Sequence, residues 1–176
     1  MTGARIDVSL DDAAIRAAFG RLSTALRGGA LKAIAAGLVE ETQSRFERGA
    51  GPDGAAWAGL NPAYAAIKRG PGILRESRML QRSITSQVSG SRILVGSNRV
   101  YAAVHQFGAT IKPKNAKALV FRLRPTGKGK GKGGNSGLVM AKSVTIPARP
   151  YLGFGKGDRE VVMDVLEDVI ARSLRS

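Results

Sequence analysis

The chain has 176 residues, 43% of them hydrophobic, no cysteine and a formal net charge of +15. That length and apolar content suit one folded domain with a real core, and they argue against a disordered chain despite the charge. Without cysteine there is neither a disulfide framework nor a thiolate metal site, and no apolar run approaches the ~18 residues of a membrane span.

The opening Met1-Thr-Gly-Ala-Arg-Ile-Asp7 lacks the apolar stretch of a secretory leader, so the expectation is a protein that stays in the cytoplasm where it is made. Ile6, Val8 and Leu10 alternate and predict a short strand or arm over residues 1–9. Asp11-Asp12 then mark a helix start, since carboxylates suit the positive end of the helix dipole. Ile15, Ala18, Phe19 and Leu22 follow at helical spacing until Gly28-Gly29. A second helix carries Leu31, Ile34, Leu38, Thr42 and Arg45-Phe46.

From Gly49 to Gly72 the chain is rich in Gly, Pro and Ala, with turn signatures at Pro52-Asp-Gly54, Asn61-Pro62 and Gly70-Pro-Gly72. Trp57, the only tryptophan, sits in this stretch. It reads as an anchor that docks the loop, with Leu60, or as an exposed interface residue.

Residues 73–87 read as a short helix with Leu74, Met79-Leu80 and Ile84. On it Arg75, Arg78 and Arg82 share one face, either solvated or in contact with phosphates or a partner's carboxylates. Arg92 to Gly96 is a strand. In Tyr101-Ala-Ala-Val-His-Gln-Phe-Gly108, the spacing of Val100, Val104 and Phe107 predicts two helical turns with that face buried, closed by Gly108 in a left-handed cap. Ala118 to Arg124 alternates as a strand, and its return strand is Leu138 to Ile146. Between them, residues 125–137 hold Lys128, Lys130 and Lys132 among glycines and predict a mobile basic hairpin tip, ordered when a partner holds it. Two prolines then stiffen Ile146-Pro-Ala-Arg-Pro-Tyr151 into an extended corner. Asp158 to Leu174 is the clearest helix, apolar along Val161, Val165, Val169 and neighbours, with acids at its start and arginines at its end. The fold class is thus α+β in one domain, residues 1–176: a small antiparallel sheet with a long basic hairpin, N-terminal helices, and a C-terminal helix packed on the sheet.

Charge is unevenly placed along this order. Residues 1–48 carry seven basic and six acidic residues and residues 155–176 carry four and five, whereas residues 49–154 carry seventeen basic residues against Asp53 and Glu76 alone. Such a middle draws anionic partners and repels copies of itself unless paired or screened. A solvated surface, nucleic acid and acidic neighbouring subunits all fit it.

One ordered set of residues points to a family. It runs Asp53-Gly54 with Trp57 and Leu60; Ile73-Leu74 with Leu80 and Ser83-Ile84; Val95-Gly96; Tyr101-Ala102 with His105-Gln106-Phe107-Gly108; and Ile146 to Gly153. This set, over residues 40 to 170, resembles the virion morphogenesis (tail completion) proteins of Mu-like tailed bacteriophages. The resemblance implies a structural part that completes the tail or neck, as a tail terminator would, and joins tail to head. It further implies a ring of copies of the chain, hexameric, around the DNA channel. Its neighbours would be neck and tail-tube proteins and passing DNA, with no membrane. Its place would be the head–tail junction or tail end of the virion, and the host cytoplasm during assembly. Within such a ring Arg149, Pro150, Tyr151 and Trp57 are the subunit-interface candidates. Arg149 suits either an intersubunit ion pair or a carboxylate of its own fold.

No enzyme is expected. His105 is the only histidine, so a histidine metal pair within one chain is excluded, and any Ser–His–Asp set would have to use it. No Gly-Lys is followed by Ser or Thr, so the lysine-glycine run is not a phosphate loop. No cofactor is implied. An autonomous basic nucleic-acid-binding protein is the alternative; with 5% aromatic residues and no reading motif it would grip the phosphate backbone.

Overall fold

The computed structural model of the protein describes residues 12–25, 29–66, 68, 70–122 and 138–175. The arm at 1–9 and the glycine-lysine tip at 125–137, with Lys128, Lys130 and Lys132, lie outside the described residues. Among the described residues, six helices run α1 (Asp12–Ala25), α2 (Leu31–Arg48), α3 (Pro62–Ala65), α4 (Met79–Arg82), α5 (Ala102–Phe107) and α6 (Lys156–Arg175). The strands among these residues are β1 (Ile84–Ser89), β2 (Arg92–Ser97), β3 (Ala109–Ile111), β4 (Leu119–Arg122), β5 (Leu138–Ala141) and β6 (Val144–Ile146). The class is α+β with antiparallel pairing. No described helix is long and apolar enough to cross a membrane.

The one small sheet of the sequence reading is instead three two-stranded ladders among the described residues: β1 with β2, β3 with β6, and β4 with β5. The return strand expected from Leu138 to Ile146 is broken at Lys142-Ser143, which separates two partners. Its first half pairs with β4, Leu119 opposite Ala141, and its second with β3, Ala109 opposite Ile146.

α2 organises the body. Ile34, Ala35, Thr42, Arg45 and Phe46 are its buried residues, a stripe at helical spacing. Gly49, left-handed at φ 65° and ψ 35°, ends the helix, its N–H donating to the Arg45 carbonyl. One side of α2 covers β1 and β2; α6 docks on α2 and α1. The expectation that the C-terminal helix lies on a sheet is corrected accordingly. Gly37 explains the close approach: a Cβ there would stand 2.5 Å from Val161 Cγ1.

The core gathers Phe46, Trp57, Leu80, Ile84, Ala102 and Tyr151. Phe46 touches both other large rings, Trp57 edge-on at 5.4 Å between centroids and Tyr151 at 5.2 Å.

Two local readings fail for backbone reasons. The helix expected over 73–87 shrinks to α4, one turn, followed by β1. Leu74 and Arg78 take positive φ, 59° and 56°, which interrupts a right-handed helix at both points. Ile84 and Val88 then favour the strand that pairs with β2. Arg75, Arg78 and Arg82 therefore share no helix face.

In α5 the buried face is also different from the predicted one. Val100 is 98% and Phe107 77% exposed, whereas Ala102 is buried and Gln106 turns inward. Gln106 wins that side because it satisfies three backbone groups there, as shown below.

Gly108 is not a left-handed cap. Its φ of 74° with ψ of 165° lies in a region open essentially to glycine alone, and it turns the chain straight into β3. A Cβ there would lie 2.8 Å from the Ala148 nitrogen and 3.0 Å from the Ile146 oxygen. Gly108→Ala is therefore expected to cost at least about 2 kcal/mol, from backbone strain together with steric overlap. Urea unfolding measures it; a variant as stable as the parent would contradict the conformation.

Candidate functional site

The two motifs that carry the resemblance meet as one assembly. Pro147-Ala-Arg-Pro150 runs extended past the end of α5, where Arg149 N–H donates to the His105 carbonyl at 2.7 Å. Gln106 Oε1 accepts from the N–H groups of Tyr151 and Leu152, both at 3.0 Å, and its Nε2 donates to Leu152 O at 2.9 Å. One side-chain amide thus stands in for a strand partner along residues 151–152.

Tyr151 enters the core and its hydroxyl donates to Ala102 O at 3.2 Å. Trp57 Nε1 donates to Pro150 O at 2.8 Å, which ties the 49–60 loop to the corner. The tryptophan is buried, so the anchor reading describes its place. Arg45 donates through Nη1 to the carbonyls of Tyr151 and Gly153, at 2.9 and 3.0 Å, and through Nη2 to Asp158. Burial pushes the Tyr151 phenol above its ordinary 10.0.

Arg149 is 5% exposed. Its Nε and Nη2 donate to Ala58 O and Gly59 O, both at 2.8 Å. Neither sequence reading anticipated this: its partners are carbonyls of its own chain, and it forms no ion pair among the described residues. Burial lowers its pKa below the ordinary arginine value.

His105 packs edge-on to Tyr101, and its buried Nδ1 has no hydrogen-bond partner. Desolvation, helped by the nearby Arg149 charge, lowers its pKa below 6.5. The folded chain therefore binds this proton less readily than the unfolded one. The resulting stability is present above pH ~6.5 and is lost as pH falls below it, a window above that of ordinary carboxylates. Unfolding free energy is expected to decline as pH falls below about 6.5, and less so in His105→Gln. Identical slopes in urea titrations of the two proteins would contradict the assignment.

Next to the corner lies a cleft of about 1110 Å³, bounded by residues of and around α3, by Leu74, Glu76 and Ser77, by Tyr101 and His105, and by residues of β4, β5 and β6. Arg149 stands in its wall. The other arginines singled out by sequence lie apart. Arg75 pairs with Glu47 at 2.7 Å and donates to its carbonyl at 3.2 Å, while Arg78 and Arg82 are exposed.

Sequence reasoning missed Gln106 as the connector and Arg45–Asp158 as an ion pair. The second was within reach: Arg45 lies on the apolar stripe of α2, and Asp158 opens the apolar helix α6. Opposite charges on two buried faces call for each other.

Comparisons with known proteins now bear on this arrangement. A profile of the phage virion morphogenesis family matches residues 10–171. A G protein of Escherichia phage Mu named for capsid assembly is 30% identical over 177 residues, 97% of each chain. The Mu-like prophage FluMu G protein 2 of Haemophilus influenzae is 30% identical over 167 residues, 93% of each chain. No solved structure gives a significant match. With a profile that spans nearly the whole chain and two relatives aligned almost end to end, the protein belongs to the phage virion morphogenesis family.

Proposed function

We propose that this protein completes the phage tail or neck and joins tail to head, as a ring of copies around the DNA channel. The observation that carries the reading is how the family-bearing residues are used. His105-Gln106, Arg149-Pro-Tyr151 and Trp57 bond to backbone of their own chain and build a rigid corner. That is the work of a docking part rather than a reaction centre. Large apolar side chains meanwhile face outward: Val100 just ahead of α5, Phe107 at its end, Phe154 beyond the corner, and the directly opposed Val120 and Met140 of β4 and β5. Surfaces of this kind mark contacts with other proteins. Neighbouring copies, in a ring expected to be hexameric, and the proteins of the neck and tail tube are the partners this reading assigns.

Light scattering of the purified chain and electron microscopy of particles made without it test the proposal. Tails with irregular ends or unjoined heads are expected. Normal, joined particles would overturn it.

A second reading concerns DNA. Arg92, Arg99, Lys112, Lys114, Lys117 and Lys142 are exposed and in no ion pair among the described residues. A DNA path lined by such groups would be gripped through phosphates only. Binding to duplex of any sequence should then fall on the order of a thousandfold between about 50 and 200 mM salt. Sequence-selective binding that survives the higher salt would favour the autonomous nucleic-acid binder instead.

A further inference from the structure

Ser143, Val144, Thr145, Ile146 and Pro147 all line the cleft beside Arg149. Successive residues of a strand face opposite ways, so five in a row along one cleft set the strand edge-on to it. β3 occupies one edge of β6, and no strand pairs with the other among the described residues. The cleft is therefore bordered by backbone N–H and C=O groups with no backbone partner among the described residues, the template to which an extended chain adds.

The walls and the charge specify the rest. Leu60, Leu74 and Phe121 give apolar surface. The only carboxylate in the lining, Glu76, already accepts from Tyr64 Oη at 2.9 Å, while Lys68 donates to Gly70 O. Arg149 has spent two nitrogens on carbonyls, and its Nη1 has no partner among the described residues. A guanidinium this deeply buried ordinarily has a counter-charge. The described residues supply none, so the charge is complementary to an acidic occupant.

We propose that this cleft receives an extended, mainly apolar segment of a partner protein, which adds to the free edge of β6 as a strand and pairs one carboxylate with Arg149. The inference rests on the docking role above and names the chemistry of one partner.

Selection of a random decapeptide display library on the full chain tests it. Enriched peptides are expected to carry one Asp or Glu among aliphatic residues. In a synthetic peptide of that consensus, changing the acid to its amide should weaken binding at least about tenfold. Backbone N-methylation at alternate positions should do the same in one register and not in the other. Arg149→Gln should erase the preference for the acid. Phe121→Glu, on the rim, should weaken binding about tenfold with an unchanged thermal melt, which keeps the test decisive if Arg149→Gln fails to fold. Peptides without an acidic consensus, equal binding of acid and amide, or no register in the methylation scan would each overturn the proposal. Irregular particles in the deletion experiment alongside such a failure would sink this docking site alone and leave the assembly role standing.

Discussion

Replacing Asp158 by alanine is expected to lower the unfolding free energy by about 3–5 kcal/mol. Arg45 and Asp158 are both almost wholly buried, at 1% and 2% side-chain exposure. The carboxylate also accepts from Gly155 N–H at 2.7 Å, so it closes the first turn of α6 as well as neutralising α2. Removing it leaves a guanidinium in the interior with only carbonyl partners, and the desolvation already incurred is no longer offset. Glu41 is the one other acid that pairs with Arg45 among the described residues, at 3.7 Å from Nε, and it is engaged more closely by Arg48 at 2.6 Å. Compensation should therefore be partial. Against a total stability of about 5–15 kcal/mol, a loss of this size leaves the variant marginal or unfolded at growth temperature.

The pair should also be coupled. Arg45→Met removes the charge and strips two carbonyls of their donor, so it too is costly. The double variant is expected to lose about 2–3 kcal/mol less than the sum of the singles, because each single leaves a buried charge unpaired. Urea unfolding of the four proteins measures the cycle. Strict additivity, or a loss below about 1 kcal/mol for Asp158→Ala, would show that the two residues do not act as a buried pair.

Long amphipathic elements were legible in the sequence, while short ones depended on distant partners. α2 and α6 follow the 3.6-residue pattern over 18 and 20 residues, enough repeats to outweigh local noise. The stretch 73–87 gave helix-like spacing by coincidence, since Leu74, Leu80 and Ile84 reach the core from a loop, a single turn and a strand. Only the backbone angles at Leu74 and Arg78 reveal the breaks. Likewise no local rule shows that Gln106 outcompetes Phe107 for the interior, because its three partners lie 45 or 46 residues away. The split of the return strand between two ladders was equally remote, a matter of which earlier strand waits beside each half. For the site, the two-proline corner was visible as a rigid turn, and its arginine as noteworthy. The carbonyls of Ala58 and Gly59 that hold Arg149 belong to a loop ninety residues earlier, and nothing in the spacing announces them.

Tyr151→Ala is expected to cost about 3–5 kcal/mol, the range for emptying a buried aromatic site. The side chain is 1% exposed and packs on Phe46, which in turn holds Trp57. Collapse around the vacancy is hindered on two sides. The backbone on either side of residue 151 is pinned by Gln106 and Arg45, and Pro150 restricts the chain that leads into it. A residual cavity should therefore persist, which places the loss toward the upper part of the range. Tyr151→Phe separates the ring from its hydroxyl. Ala102 O has a second lone pair for the helix ladder, so losing the 3.2 Å bond should cost only about 0.5–1.5 kcal/mol. The large gap between the two variants is the signature of ring packing. Were Tyr151→Phe as damaging as Tyr151→Ala in thermal and urea melts, the hydroxyl would be the dominant contributor. The corner would then be held by its hydrogen bond to α5, with ring contact of minor weight.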